Sequence, residues 1–357
     1  MQPVAASWEI HHHETTPKKV LSPREGISLA MKAIVITGIG GPEVLELREV
    51  STPEPRGDQI RVRVRACGLN RADLLQTSGF YPAPAGVPSD IPGLEYAGEV
   101  DALGPDVTGP LKVGDRVFGI VAGGAQAEYL VTHERMAVPI PADLDFVAAA
   151  AVPEVFLTAH DALITQGRLG PGEPVLIQAV GSGVGTAAAQ VAHAMGCTVF
   201  GTSRTADKLE RARSLGVDVP IDTSEHDFVA VVLQQTSGAG VQVVLDLLGA
   251  GVLAGNLKAL ATQGRLILVG LLGGRKAPLD LGPILSKRLT LVGTTLRARP
   301  LEEKIAATRL FARQVVPWLE RGAVRPVVDA VFPWEDVRDS YARLASNQAF
   351  GKVILRL

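Results

Sequence analysis

Hydrophobic and polar positions follow two rhythms along this chain. In the first third, apolar residues recur at every second position. Residues 59–66 (QIRVRVRA) show it best: Ile60, Val62, Val64 and Ala66 fall on one face, and Arg61, Arg63 and Arg65 on the other, the period of a half-buried strand. Three arginines in a row admit an anion site, but a solvated sheet face is the simpler reading. Residues 32–37 and 44–50 are separated by Gly38, Gly40, Gly41 and Pro42, which predicts a hairpin. Strand-like runs at 94–103, 115–121 and 127–132 are divided by Gly104-Pro105, Gly109-Pro110 and Gly123-Gly124. Short strands with turn signals predict a compact β-rich domain.

Near Asp145 the pattern changes. Residues 146–152 and 156–165 read as helices leading into a second region, where strands and helices alternate. The predicted strands are 175–179, 198–202, 219–222, 243–247, 265–269 and 290–294, with helical patterns between them, notably at 207–215 and 253–260. That alternation predicts an α/β fold with a doubly wound parallel Rossmann sheet. A long helical stretch at 301–321 leads to a β/α tail ending at 352–356, expected to return to the β-rich domain. The expected organisation is therefore one domain from 31–155 and 299–357, with a cofactor-binding domain of 156–298 inserted into it. Residues 1–30 carry Pro3, Pro17, Pro23 and a His11-His12-His13 run with little periodicity, and read as a disordered extension. The three histidines alone are a weak metal site.

The stretch that organises the chain is 175–196, VLIQAVGSGVGTAAAQVAHAMG. Val175-Leu176-Ile177 suits a strand buried on both faces. Gly181, Gly183 and Gly185 follow, then an alanine-rich helix ended by Gly196. Strand, glycine turn and helix bring backbone N–H groups to a pyrophosphate at the positive end of a helix dipole. The strict G-x-G-x-x-G spacing is absent; Gly183-x-Gly185-x-x-Ala188 matches the looser form.

Composition narrows the function. The 357 residues suffice for about two domains. A net charge of −2 argues against a nucleic-acid binder that works by neutralising phosphates. No apolar run reaches the ~18 residues of a membrane helix. Glu9, Glu14 and Glu25 count against a mitochondrial transit peptide, and a secretory apolar core is missing. Cys67 and Cys197 are the only cysteines, which suits a reducing, cytoplasmic setting.

Together these residues resemble the zinc-independent quinone oxidoreductases, the zeta-crystallin-like group of the medium-chain dehydrogenase/reductase superfamily, with the stress-inducible branch as the nearest pattern. The resemblance rests on Gly68-Leu-Asn-Arg-Ala-Asp73, Pro92-Gly-Leu-Glu-Tyr-Ala-Gly98, Val113-Gly-Asp-Arg-Val117, Ser182-Gly-Val-Gly-Thr-Ala-Ala188, Gly270-Leu-Leu-Gly-Gly274, Leu296-Arg-Ala-Arg299 and Gly351-Lys-Val353. It covers the chain from Met31 onward and implies a GroES-like catalytic domain beside the Rossmann domain. Where the superfamily's zinc alcohol dehydrogenases place a Cys and a His, this chain has Asn70 and Leu94, poor or impossible Zn²⁺ ligands. Without a Lewis acid alcohol oxidation is disfavoured, and hydride donation to a quinone or conjugated carbonyl is what the resemblance leaves.

An NAD-preferring site ends its second strand in Asp or Glu. Here Ser203 takes that place, followed by Arg204 and Lys208, which would accept a 2′-phosphate; a charge-assisted contact is worth ~1.5–3 kcal/mol. The expected cofactor is NADPH. By resemblance, Thr158 lies beside the nicotinamide. Ser182, Gly183 and Val184 belong to the turn, and Gly249, Gly270, Leu271 and Leu272 run along the cofactor. Leu296, Arg297 and Lys352 flank its nicotinamide side. Thr223 stands where relatives often place an adenine-stacking tyrosine, and Leu75 replaces a second tyrosine. Asn70 and Tyr81 are the expected catalytic residues, polarising the acceptor oxygen, with solvent or Tyr81 supplying the proton. An alkenal or enoyl reductase is the alternative, and a non-catalytic structural or RNA-binding role the third. The partners expected are a small-molecule quinone or enone and a second copy of the chain, joined along the strand near 289–294; no nucleic acid and no membrane are expected.

Overall fold

The computed structural model describes residues 30–357. The extension expected at 1–30 therefore falls almost wholly outside the described residues. β1 (Ala30–Ile36) and β2 (Leu45–Ser51) form the antiparallel hairpin. β3 (Gln59–Gly68), β4 (Glu95–Leu103), β5 (Arg116–Ile120), β6 (Tyr129–His133) and β7 (Val138–Pro139) follow. A parallel series comes next: β8 (Val175–Ile177), β9 (Val199–Ser203), β10 (Val219–Asp222), β11 (Val241–Asp246), β12 (Leu260–Leu268) and β13 (Thr290–Gly293). β14 (Val328–Pro333) and β15 (Lys352–Arg356) close the chain.

The parallel strands make a six-stranded sheet in the order β10-β9-β8-β11-β12-β13. The order reverses between β8 and β11, which opens a crevice at their carboxyl ends. β14 and β15 leave that sheet and join the other, ordered β14-β15-β3-β4-β5-β7, with β6 also paired to β3. Strand β3 keeps its alternation. Ile60, Val62, Val64 and Ala66 are buried, while Arg61 pairs with Asp101 at 2.6 Å and Arg65 with Glu99 at 2.6 Å. Carboxylates on the neighbouring strand match these arginines, so the row is a sheet face and not an anion site.

One helix joins the two sheets. Pro153–His160 is buried on nearly its whole circumference. Its Val155, Phe156 and Leu157 belong to a continuous core that also takes in Phe118 and Ile120 from β5, Val175 and Ile177 from β8, and Ile354 from β15. Burying a side chain such as Phe156 stabilises by roughly 1.5–3 kcal/mol. After His160 the backbone widens into a π-type turn, Asp161–Gln166. The helical stretch expected at 301–321 is divided into Leu301–Gln314 and Val316–Glu320. Pro317 has no N–H for the carbonyl four residues earlier and its ring crowds that carbonyl, so a single helix cannot continue through it.

Candidate active site

The glycine turn lies at the crevice. Ser182 caps the helix Gly183–Ala194, its Oγ accepting from Gly185 N at 3.0 Å. A Cβ on Gly185 would come 2.5 Å from Ala179 O and 2.6 Å from Val180 O, so only glycine lets the helix lie this close to the incoming strand. Ala179 itself sits at φ 52°, the left-handed region, and Thr202 Oγ1 accepts its N–H at 3.2 Å. Gly183 and Val184 are half-buried in the first helical turn, where backbone N–H groups have no intrahelical acceptor. A Cβ on Gly183 would stand 3.0 Å from Lys352 Cδ and from Val155. These residues fit a dinucleotide: bare amides at a helix N-terminus, with the cradle kept open by missing side chains.

Beneath the crevice runs a buried polar chain that the sequence reading missed. Asp246, at the end of β11, accepts Leu248 N and Gly249 N on one oxygen, both at 2.8 Å, and Asn256 Nδ2 on the other at 3.0 Å. Asn256 Oδ1 accepts from Gln178 at 2.7 Å, and Gln178 Oε1 accepts from Thr202 Oγ1 at 2.6 Å. This chain fixes the ends of β8, β9 and β11. Gly249 (φ 79°) and Gly270 follow β11 and β12, with Leu271 and Leu272 exposed beyond.

At the end of β9, Ser203 Oγ accepts from Thr205 N at 3.2 Å, and Arg204 is exposed. Lys208 leans over Gly181 and donates to Asn347 O at 2.7 Å; burial lowers its pKa, with Asp329 opposing and nearby arginines adding to the shift. Its ammonium is thus tied to the C-terminal segment, which leaves Ser203 and Arg204 as the open polar groups of this corner. Thr223 Oγ1 turns back to Ser203 O at 3.2 Å.

The opposite wall is a buried ion network. Lys352 Nζ donates to Leu69 O at 2.6 Å and Asn70 Oδ1 at 2.7 Å, and pairs with Glu95 Oε1 at 2.6 Å. Asn70 Nδ2 donates to the same Glu95 oxygen at 2.9 Å, and Glu95 Oε2 accepts from Glu154 N at 2.8 Å. Asp73 accepts Asn70 N at 2.7 Å and Gly93 N at 3.2 Å; burial pushes its carboxyl up to about 6, with the two N–H donors, Lys352 and Arg297 pulling it back. Asn70 was expected to polarise an acceptor oxygen, but its amide is engaged at both ends, so the structure makes it a link between Lys352 and Glu95. Lys352 likewise turns its ammonium inward and presents only its methylene stem to Gly183.

This wall offers little to a metal. The Asn70 amide is engaged, Leu94 has no donor atom, and burial pushes the Cys67 thiol far above its usual range. An ammonium already stands among them, and among the described residues no group of three or more His, Cys, Asp and Glu is placed to hold a metal ion.

Tyr81 stands at the mouth. Its hydroxyl lies 3.5 Å from Thr295 Oγ1, and its ring lies 4.9 Å from the Arg297 guanidinium. Arg297 donates to Ala122 O at 2.7 Å, Tyr81 O at 3.1 Å and Gln76 Oε1 at 2.7 Å. Expected beside the cofactor, its guanidinium instead clamps the segment after β13 to the Tyr81 loop. Two residues on, Arg299 forks onto Asp161 at 3.0 and 2.5 Å. Thr158 is buried on the joining helix, and Leu296 is buried at the start of the clamp.

Strand order, glycine turn and crevice define the class: a Rossmann-type dinucleotide-binding protein with a second, β-rich domain. Comparison with known proteins agrees. Residues 56–142 match the alcohol dehydrogenase GroES-like domain, and residues 183–313 match the zinc-binding dehydrogenase family. A quinone oxidoreductase of Pseudomonas aeruginosa is 35% identical over 91% of this chain and 99% of its own length. One from Lama guanicoe is 33% identical over 92% and 98%. The solved Pseudomonas syringae quinone oxidoreductase superposes with a TM-score of 0.83 at 30% identity, covering 92% of this chain and 100% of that one. A mycobacterial protein solved with NADPH gives 0.81 at 29%, over 92% and 100%. The CurK enoyl reductase gives 0.81 at 25%, over 91% and 99%. The chain belongs to the medium-chain dehydrogenase/reductase family and is an oxidoreductase that uses a nicotinamide cofactor.

Proposed function

We propose that this protein is an NADPH-dependent quinone oxidoreductase that works without a metal. The observation that carries this reading is the placement of the glycine turn against Lys352 and Val155. A dinucleotide held by the Gly183 and Val184 amides is then led along the joining helix toward Thr158. NADPH, when bound, supplies the hydride. The chain's own residues bind, orient and exclude water. Ser203 and Arg204 receive the 2′-phosphate, and the absence of a carboxylate there removes the repulsion an NAD site would impose. Gly249, Gly270, Leu271 and Leu272 line the path with backbone and apolar surface. The Tyr81 hydroxyl, held by the Arg297 clamp, hydrogen-bonds the acceptor oxygen. Phe80, 76% exposed at the rim beside Tyr81, offers apolar surface to an aromatic acceptor.

Initial rates with NADPH and NADH against quinones, enones and enoyl thioesters test this reading. Quinone reduction that prefers NADPH is the expected result; a preference for NADH refutes the 2′-phosphate assignment. Enones or thioesters reduced faster than quinones favour the enoyl-reductase reading, which the likeness to CurK supports. Tyr81→Phe should lower kcat about tenfold or more with NADPH affinity unchanged, and unaltered kinetics would remove its role. We also propose a homodimer through β13, an exposed edge strand with Leu291 outward. A monomer by sedimentation would rule it out.

A further inference from the structure

The joining helix carries an acidic side chain that the site described so far does not use. Glu154 lies in the first turn of Pro153–His160, one turn ahead of Thr158, so the two project from the same face. Its backbone N–H is held by Glu95. The residue as a whole is half-buried, and among the described residues its carboxyl has no hydrogen-bond or ion-pair partner. Val155, the next residue, and Lys352 are the two side chains that would meet a Cβ on Gly183. Glu154 is thus the chain neighbour of a residue packed on the glycine turn, on a helix that runs from that turn's side of the cleft toward Thr158.

The charged groups facing Glu154 are Glu95 on β4, Lys352 on β15, Asp73 on the helix Arg71–Thr77, and Arg297 after β13. Both cations are occupied elsewhere: Lys352 by Leu69 O, Asn70 and Glu95, and Arg297 by Ala122 O, Tyr81 O and Gln76. Glu154 is thus a surplus carboxyl with no counter-ion of its own. Burial first, then the Glu95 charge, push it up to about 8, against the pull of Lys352 and Arg297. A carboxyl shifted in this direction keeps its acid form, which can donate, to higher pH than an ordinary one.

We propose that Glu154 is the proton donor of the reduction. With a conjugated carbonyl as acceptor, the incoming hydride forms a C–H bond, the C=C π pair shifts to oxygen, and an enolate results. The O–H bond of Glu154 breaks as its proton bonds to that oxygen or to the α-carbon. A quinone is reduced to the hydroquinone by the same count of one hydride and one proton. In either case the acceptor gains two electrons, the nicotinamide is oxidised, and the Glu154 carboxylate recovers a proton from solvent. The assignment rests on the hydride-transfer reading above.

The test follows kcat/KM against pH for the wild type, Glu154→Gln and Glu154→Asp, together with infrared titration of the cofactor-free protein. The wild type should lose activity as pH rises past about 8. Glu154→Gln should lack that limb and lose on the order of 10²–10⁴-fold in turnover, while binding NADPH as tightly as the wild type, which also verifies its fold. Glu154→Asp should recover part of the loss. In the infrared, a protonated-carboxyl band should be present at neutral pH in the wild type and absent from Glu154→Gln. Unchanged turnover in Glu154→Gln overturns the proposal, as does a carboxyl already ionised at neutral pH. A wild type that reduces no acceptor brings down the hydride-transfer reading and the donor role with it; the infrared arm still reports the state of Glu154.

Discussion

On one side of the cleft, the turn from β8 into the helix Gly183–Ala194 presents backbone amides, three glycines and one serine cap. On the other, Asn70, Glu95 and Lys352 form a side-chain network closed to solvent, in which Glu95 and Lys352 are buried almost completely. The first wall works by leaving atoms out, and the second by filling the space with matched charge. A wall of backbone tolerates the loss of a side chain and resists the gain of one. A wall of paired charges does the reverse, because a buried ion without its partner keeps its full desolvation cost.

That contrast can be tested from its strongest consequence downward. Lys352→Met leaves Glu95 buried without a cation and Asn70 Oδ1 without a donor, and should cost about 3–5 kcal/mol in chemical denaturation. A loss under ~1 kcal/mol would mean that the charge-matching account is wrong. On the backbone wall the expected effects are smaller. Gly185→Ala drives a Cβ into the Ala179 and Val180 carbonyl oxygens; neither can rotate away, so roughly 1–3 kcal/mol should be lost together with NADPH affinity in titration. Ser182→Ala removes only the cap to Gly185 N, at about 1 kcal/mol, and should leave the Asn70–Glu95–Lys352 wall unaffected by calorimetry.

The same contrast explains which site residues were legible. Gly183 and Gly185 are constrained by neighbours a few positions away, so strand, turn and helix declare themselves within one stretch of chain. Asn70 and Lys352 meet across 282 positions, and Arg297 and Tyr81 across 216. No local pattern records such meetings. The motifs around Asn70 and Arg297 point to the acceptor and the cofactor, whereas their polar atoms face Lys352, Glu95, Gln76 and backbone carbonyls. Glu95 lies within the Pro92–Gly98 motif, where nothing local marks its pairing. Glu154 and Asp246 gave no signal, since a lone carboxylate in an apolar stretch looks the same paired or unpaired.

Periodicity and turn chemistry by themselves determined the two kinds of sheet, the order of their strands along the chain and the glycine turn. These follow from short-range sterics and from the 2.0 and 3.6 residue repeats, which any window of the chain expresses. Only the tertiary structure decided which charges are matched and which polar atoms remain free to act. Partnership between side chains depends on distance in space, and distance in space is set when the two sheets close over the helix Pro153–His160.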